Sequence, residues 1–110
     1  MSDDQPYIDE GRGWDMKYVQ HVNKVVADHL FPKRTDNTMF LKLYEEVGEV
    51  VRSPGNADEI ADVMIMLLDH ASRHGINAGE AILEKLQKNL DRTWFVDQTT
   101  GVAYHVEVPE

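Results

Sequence analysis

Cysteine is absent from the chain, which excludes disulfides, zinc-thiolate sites and thiol catalysis and fits a reducing compartment. No apolar run approaches transmembrane length, and the opening Met1-Ser2-Asp3-Asp4-Gln5-Pro6 lacks the charged-then-apolar pattern of an export leader. A soluble, cytoplasmic protein without a membrane partner is expected. Basic charge is also scarce: 11 Lys and Arg stand against 20 Asp and Glu, for a net charge of -9. Nucleic-acid binders carry a basic stripe as their electrostatic footprint, so broad polyanion binding is excluded. There is no Gly-rich phosphate loop, no dinucleotide-binding fingerprint and no legible Ser-His-Asp arrangement. The histidines, His21, His29, His70, His74 and His105, show no ligand spacing with the acids, and the Glu-x-x-His repeat of di-iron bundles is missing.

What is present is helical periodicity. With 110 residues the chain forms one domain with a modest core, which a second copy would naturally supplement. Residues 1–13 are polar, acidic and aperiodic and read as a flexible arm. From Asp15, a candidate N-cap, Met16, Val19, Val22, Val25, Val26 and Leu30 recur at three and four, predicting a first helix that ends at Phe31-Pro32. A loop with Lys33 and Arg34 follows. Asp36 or Asn37 is then expected to cap a second helix to about Arg52, with Phe40, Leu43, Tyr44, Val47, Val50 and Val51 on its stripe.

Ser53-Pro54-Gly55-Asn56 marks a turn. A third helix is predicted from about Asp58 to His74, closed by Gly75. Its stripe of Ile60, Val63, Met64, Leu67, Leu68 and Ala71, with Ile65 and Met66 on other faces, predicts burial on several sides. The remaining strip carries Glu59, Asp62, Met66 and Asp69, and charges there need pairing or a metal. Asn77 to Glu80 has capping-box spacing and opens a fourth helix to about Thr93. After Trp94 the period changes to alternation, with Val102, Tyr104, Val106 and Val108 on one side and a Thr99-Thr100-Gly101 turn, predicting a β-hairpin. Trp14 and Trp94 read as core or interface anchors.

The chemistry gathers at the turn between the second and third helices. Glu46 and Glu49 share one helix face, as do Glu59 and Asp62, because residues three apart are neighbours on a helix. Folding back at the turn converges four carboxylates, which repel one another unless a cation sits among them. Oxygen-only donors suit Mg²⁺ or Mn²⁺. Glu45, beside these ligands, is a candidate to orient or deprotonate a water, and Lys42 falls where it pairs with Glu46 or reaches a phosphate. Gly48, costly inside a helix, implies close packing or room for a ligand. On the fourth helix Lys85, Lys88, Asn89 and Arg92 cluster on one flank, a place for phosphate. Metal-assisted hydrolysis of a phosphoryl substrate is the reaction class that remains. A non-catalytic helical module binding a nucleotide or a protein is the alternative of a different kind.

Glu45-Glu46-x-x-Glu49, Glu59-x-x-Asp62 and Lys85-x-x-x-Asn89-x-x-Arg92-Thr93-Trp94 resemble the MazG-like all-α nucleoside triphosphate pyrophosphatases over residues 31–94. The Ala61-Asp62-Val63 context, the Arg92-Thr93-Trp94 ending and the short tail are most similar to the phage-type dATP/dGTP pyrophosphohydrolases called MazZ. The resemblance implies an all-α, four-helix fold over residues 14–94 with a small C-terminal hairpin over 95–110, assembled as a homodimer or homotetramer. It implies cleavage of a (d)NTP, especially a purine dNTP, to the monophosphate and pyrophosphate in a bacterial cytoplasm. Metal ligation would fall to Glu46, Glu49, Glu59 and Asp62 and nucleotide contacts to Lys85, Asn89 and Arg92, while Glu45 and Glu46 are the candidate catalytic residues on the reading of the residues themselves. Only nine residues separate Glu49 from Glu59, fewer than in many members, which leaves a pyrimidine or phosphoribosyl nucleotide as a second possible substrate.

Overall fold

The computed structural model describes residues 5–106. They form a 3-10 turn at Glu10–Arg12, helices α1 (Met16–Leu30), α2 (Asp36–Arg52), α3 (Ala57–Arg73) and α4 (Ala78–Asp91), and strands β1 (Thr93–Val96) and β2 (Ala103–Val106). Chain packing divides into two units, one ending at Gly79 and the other beginning at Glu80.

In the first unit α3 is the middle element and packs on both α1 and α2. Asp15 caps α1 by accepting a hydrogen bond from the Tyr18 amide at 3.1 Å, as its position before the periodic run predicts. The segment before it differs from the expected unstructured arm. Asp9 caps the 3-10 turn, its amide donates to the Tyr18 hydroxyl at 2.9 Å, and the Arg12 guanidinium lies 3.9 Å from the Tyr18 ring centroid. These contacts use polar side chains and leave no hydrophobic period to read. Residues 1–4 lie outside the described ones.

The α2 cap is Thr35, one residue before the expected Asp36. Its hydroxyl accepts from the Thr38 amide while the Thr38 hydroxyl accepts from the Thr35 amide at 2.9 Å, so two unpaired amides are satisfied at once. The predicted stop of α3 is a Schellman motif: the Ile76 amide donates to the Ala71 carbonyl at 2.8 Å, the Gly75 amide donates to Ser72, and Gly75 has φ +69°.

Two polar side chains do the locking. Asp69, 1% exposed, accepts from Arg34 Nε at 2.7 Å and Nη2 at 2.8 Å, and Arg34 Nη2 also reaches Asp28 at 2.8 Å. The fork neutralises a carboxylate taken out of water and ties the α1–α2 loop to α3. Gln20, also buried, donates from its amide nitrogen to Ser72 Oγ and the Ile76 carbonyl and accepts from the Ala78 amide, binding α1 to the end of α3.

Apolar burial departs from expectation. Met66 and Leu68 are the buried apolar residues of α3, whereas Ile60, Met64 and Leu67 from the predicted stripe are 40%, 51% and 51% exposed. On α2, Tyr44 and Val51 are 80% and 75% exposed. The stripes exist, but much of their area faces away from this chain. Trp14 is likewise exposed and is no core anchor within the chain.

In the second unit α4 ends at Asp91, two residues before the expected stop, because Thr93 already pairs in the sheet. Its antiparallel register joins Thr93 to Val106, Trp94 to His105, Phe95 to Tyr104 and Val96 to Ala103. Asp97 accepts from the Thr99 and Thr100 amides at 2.8 and 3.0 Å and organises the predicted turn, with Gly101 at φ +75°. Those amides hold its carboxyl below the usual range. The Trp94 indole donates to the Asn89 carbonyl at 2.7 Å, fastening the hairpin to α4. Val108 lies outside the described residues.

Because removing one partner of a buried pair strands the other, Arg34→Ala should lower the unfolding free energy by about 3 kcal/mol or more. Lys24→Ala, which breaks an exposed pair with Asp28, should change it by less than about 1 kcal/mol. Urea denaturation monitored by circular dichroism checks both.

Candidate active site

Glu46, Glu59 and Asp62 each place a carboxylate oxygen within 4.8 Å of the others. The turn produces this convergence. The Asn56 amide donates to the Ser53 carbonyl, and the Asn56 side chain accepts from the Asp58 and Glu59 amides at 2.9 and 3.2 Å, capping α3 so that Glu59 falls in its first turn. Asp62 follows three residues later on the same face. The Glu46 side chain, 12% exposed, comes from α2 and meets Lys42 Nζ at 3.2 Å.

A carboxylate in the first turn of a helix normally gains from the helix dipole. Glu59 shows the opposite balance: desolvation first, then the charges of Glu49, Asp62, Glu46 and Asp58, push its carboxyl above the usual range. A divalent cation would relieve that repulsion, and the donors are all carboxylate oxygens, the chemistry of Mg²⁺ and Mn²⁺ sites.

The other expected residues are distributed as follows. Glu49 lies near enough to raise the proton affinity of Glu59, but its carboxylate is paired with Arg52 Nη2 at 2.6 Å and is not among the three converging groups. Glu45 is largely exposed and lies 3.3 Å from Lys42 Nζ. Lys42 thus contacts both Glu46 and Glu45, which hold its ammonium protonated above its usual range. Gly48 does not reflect close packing among the described residues, where a Cβ would meet only the Arg52 guanidinium, at 3.7 and 3.9 Å. Lys85, Asn89 and Arg92 belong to the second unit. Lys85 is exposed, Arg92 is half-buried, and Asn89 Oδ1 is buried without a hydrogen bond among the described residues.

No histidine stands in ligand spacing with the acids along the chain, but the fold brings two of them to a carboxylate. Asp36 at the start of α2 meets His70 and His74 at the end of α3, with one donor atom from each within 4.8 Å of the others. The four-residue spacing of the two histidines was the available signal. The acid comes from another helix, 34 positions from His70, and no local pattern connects them.

Comparison with known proteins places this geometry. The helices and appended two-stranded sheet have the MazG-like fold. Among solved structures, the chain is similar to the Cyanophage S-2L MazG-like pyrophosphohydrolase bound to dGDP and three catalytic Mn²⁺ ions per active site. The TM-score is 0.72 and the identity 33%, over 83% of this chain and 91% of that one. The chain belongs to the dATP/dGTP pyrophosphohydrolase family, whose model matches residues 20–109. It is 36% identical over 93 residues to a dATP/dGTP diphosphohydrolase of Salmonella phage PMBT28 and 42% identical over 67 residues to one of Cyanophage S-2L. These matches cover 81% and 59% of this chain but only 32% and 64% of the relatives, so the chain spans part of their length.

A carboxyl whose proton affinity is raised by folding contributes stability below its unfolded value, and loses that contribution as pH rises through the folded one. With chelator present, Glu59→Gln should therefore melt higher than the unmodified chain at neutral pH. The difference should shrink on acidification and vanish below the ordinary glutamate range. Melting temperature against pH for the two proteins checks the sign.

Proposed function

We propose that this chain is a divalent-metal-dependent pyrophosphohydrolase that converts a purine deoxynucleoside triphosphate, dGTP or dATP, to the monophosphate and pyrophosphate. The observation that carries the reading is the convergence of Glu46, Glu59 and Asp62 at the α2–α3 turn in a chain of this family. The Mn²⁺- and dGDP-bound neighbour supports both the ion type and the purine deoxynucleotide.

Glu46, Glu59 and Asp62, with Glu49 if it leaves Arg52, would hold Mg²⁺ or Mn²⁺. When bound, the ion supplies charge neutralisation and polarisation of the phosphoryl group. The chain's own residues do the remaining work. Lys42, in contact with both Glu45 and Glu46, positions the two carboxylates. Glu45, exposed beside the ligand set, is placed to accept the proton of an attacking water. Lys85, Asn89 and Arg92 are assigned to the triphosphate, whose charge suits a lysine, an amide and an arginine.

The exposed apolar stripes of α2 and α3 support a homodimer or a homotetramer, since an apolar patch of this extent marks an interface. Sedimentation at micromolar concentration should give at least twice the 12.6 kDa chain mass, and a monomer there would remove the oligomer.

The deciding experiment is pyrophosphate release from each of the eight common NTPs and dNTPs, with Mg²⁺, with Mn²⁺ and with chelator. Metal-dependent release fastest from dGTP or dATP is expected. Release fastest from a pyrimidine nucleotide would overturn the base assignment, and nucleotide binding without any release would overturn the hydrolase. Asp62→Ala should lower kcat by roughly a thousandfold, equivalent to about 4 kcal/mol of transition-state stabilisation.

A further inference from the structure

A second cluster of metal-ligating groups lies at the opposite end of the α2–α3 hairpin. Asp36 and Glu46 are ten residues apart on one helix, about 15 Å along its axis, so the two clusters cannot share an ion. At the far end, Asp36 Oδ2 lies 3.2 Å from His74 Nε2, and Asp36 Oδ1 lies 3.7 Å from His70 Nδ1. His70 and His74 stand one helical turn apart with ring centroids 4.4 Å from each other, and Phe40 packs against His70 at 5.0 Å. The His70 ring is thus packed between Phe40 and His74, while the His74 side chain is 48% exposed.

Satisfaction of the polar atoms is incomplete. His70 Nδ1 and Asp36 Oδ1 are buried, and neither has a hydrogen-bond partner among the described residues. Arg73 Nη1 is 2.9 Å from Asp36 Oδ1, yet its N–H is not aligned on the oxygen. Buried polar atoms in native structures nearly always find a partner. Two imidazoles on one helix turn and a carboxylate facing them provide nitrogen and oxygen donors, which suit a borderline ion such as Zn²⁺ better than Mg²⁺.

We propose that Asp36, His70 and His74 form a separate site for a Zn²⁺-type transition-metal ion, which clips the start of α2 to the end of α3. Arg73 Nη1, 2.9 Å from the carboxylate, competes with the ion for Oδ1. The clip acts on the fold: an ion bound to the native hairpin and not to the unfolded chain adds stability by mass action.

The test uses the whole protein, stripped with chelator and returned to excess Mg²⁺ so that the carboxylate cluster is supplied with its own kind of ion. Equilibrium dialysis should then find one Zn²⁺ per chain. Binding should survive Glu46→Gln with Asp62→Asn, and should weaken at least ~100-fold in His70→Gln with His74→Gln. In the unaltered protein, which needs no variant to fold, Zn²⁺ should shift the ring-nitrogen resonances of two histidines and leave those of His21, His29 and His105 in place. Absence of stoichiometric Zn²⁺ binding, binding lost with the carboxylate cluster, or ring shifts at other histidines would each overturn the site.

Discussion

Asp69 is the constraint on which the rest of the first unit depends. Its carboxylate is the most deeply buried polar group described, and a lone charge there would be intolerable. Arg34 supplies both hydrogen bonds of a guanidinium fork and is itself nearly enclosed, its side chain 8% exposed. The pair fixes the α1–α2 loop on α3, and Thr35 and Asp36 follow immediately in sequence. The starting point of α2 is thereby set against the end of α3. Two antiparallel helices joined by a short turn then have little freedom left, and the level at which Glu46 faces Glu59 and Asp62 is decided at the other end of the hairpin.

That geometry is unfavourable for the carboxylates considered alone. Asn56 places Glu59 where a helix start favours an anion, and desolvation together with the neighbouring acids more than cancels the benefit. Lys42 offsets part of the repulsion on α2, while Glu49 finds Arg52. Asp62, three residues into the same face as Glu59, has no comparable ion-pair partner among the described residues. The charge balance is therefore uneven, excess negative charge remaining on the α3 side of the cluster. A fold retains such a local conflict when the rest of the structure over-determines it, and sites of function are where these conflicts are found.

How much of this was legible follows from the range of each interaction. The four helices, the Asp15 cap, the Gly75 stop and the hairpin turn depend on neighbours within a few residues and could be read from period and punctuation. So could the meeting of Glu46 with Glu59 and Asp62 across a short turn, though not the pairing of Glu49 with Arg52. That Asp69 needed a partner was legible from its place on an apolar helix. Which residue answered was not, since Arg34 lies 35 positions away in a loop without pattern. Gln20, whose three bonds reach Ser72, Ile76 and Ala78, and Asp36, which meets the two histidines, escaped for the same reason.

Hydrophobic periodicity has a different blind spot. It identifies the apolar side of a helix but not the body that covers it. The stripe through Ile60, Met64 and Leu67 has the spacing of a core face, and α3 does sit between two helices, yet the apolar residues it buries are Leu68 at the edge of that stripe and Met66 outside it. The same physics that fills a core acts on any covering surface, so a short chain with three amphipathic faces has two options. It can expose area that costs about 25 cal/mol per Å², or share it with a second copy. The site at the α2–α3 turn lies on the helices whose apolar area is left over. Association through those faces would thus hold the same two helices that carry the carboxylates, and would restrain their separation.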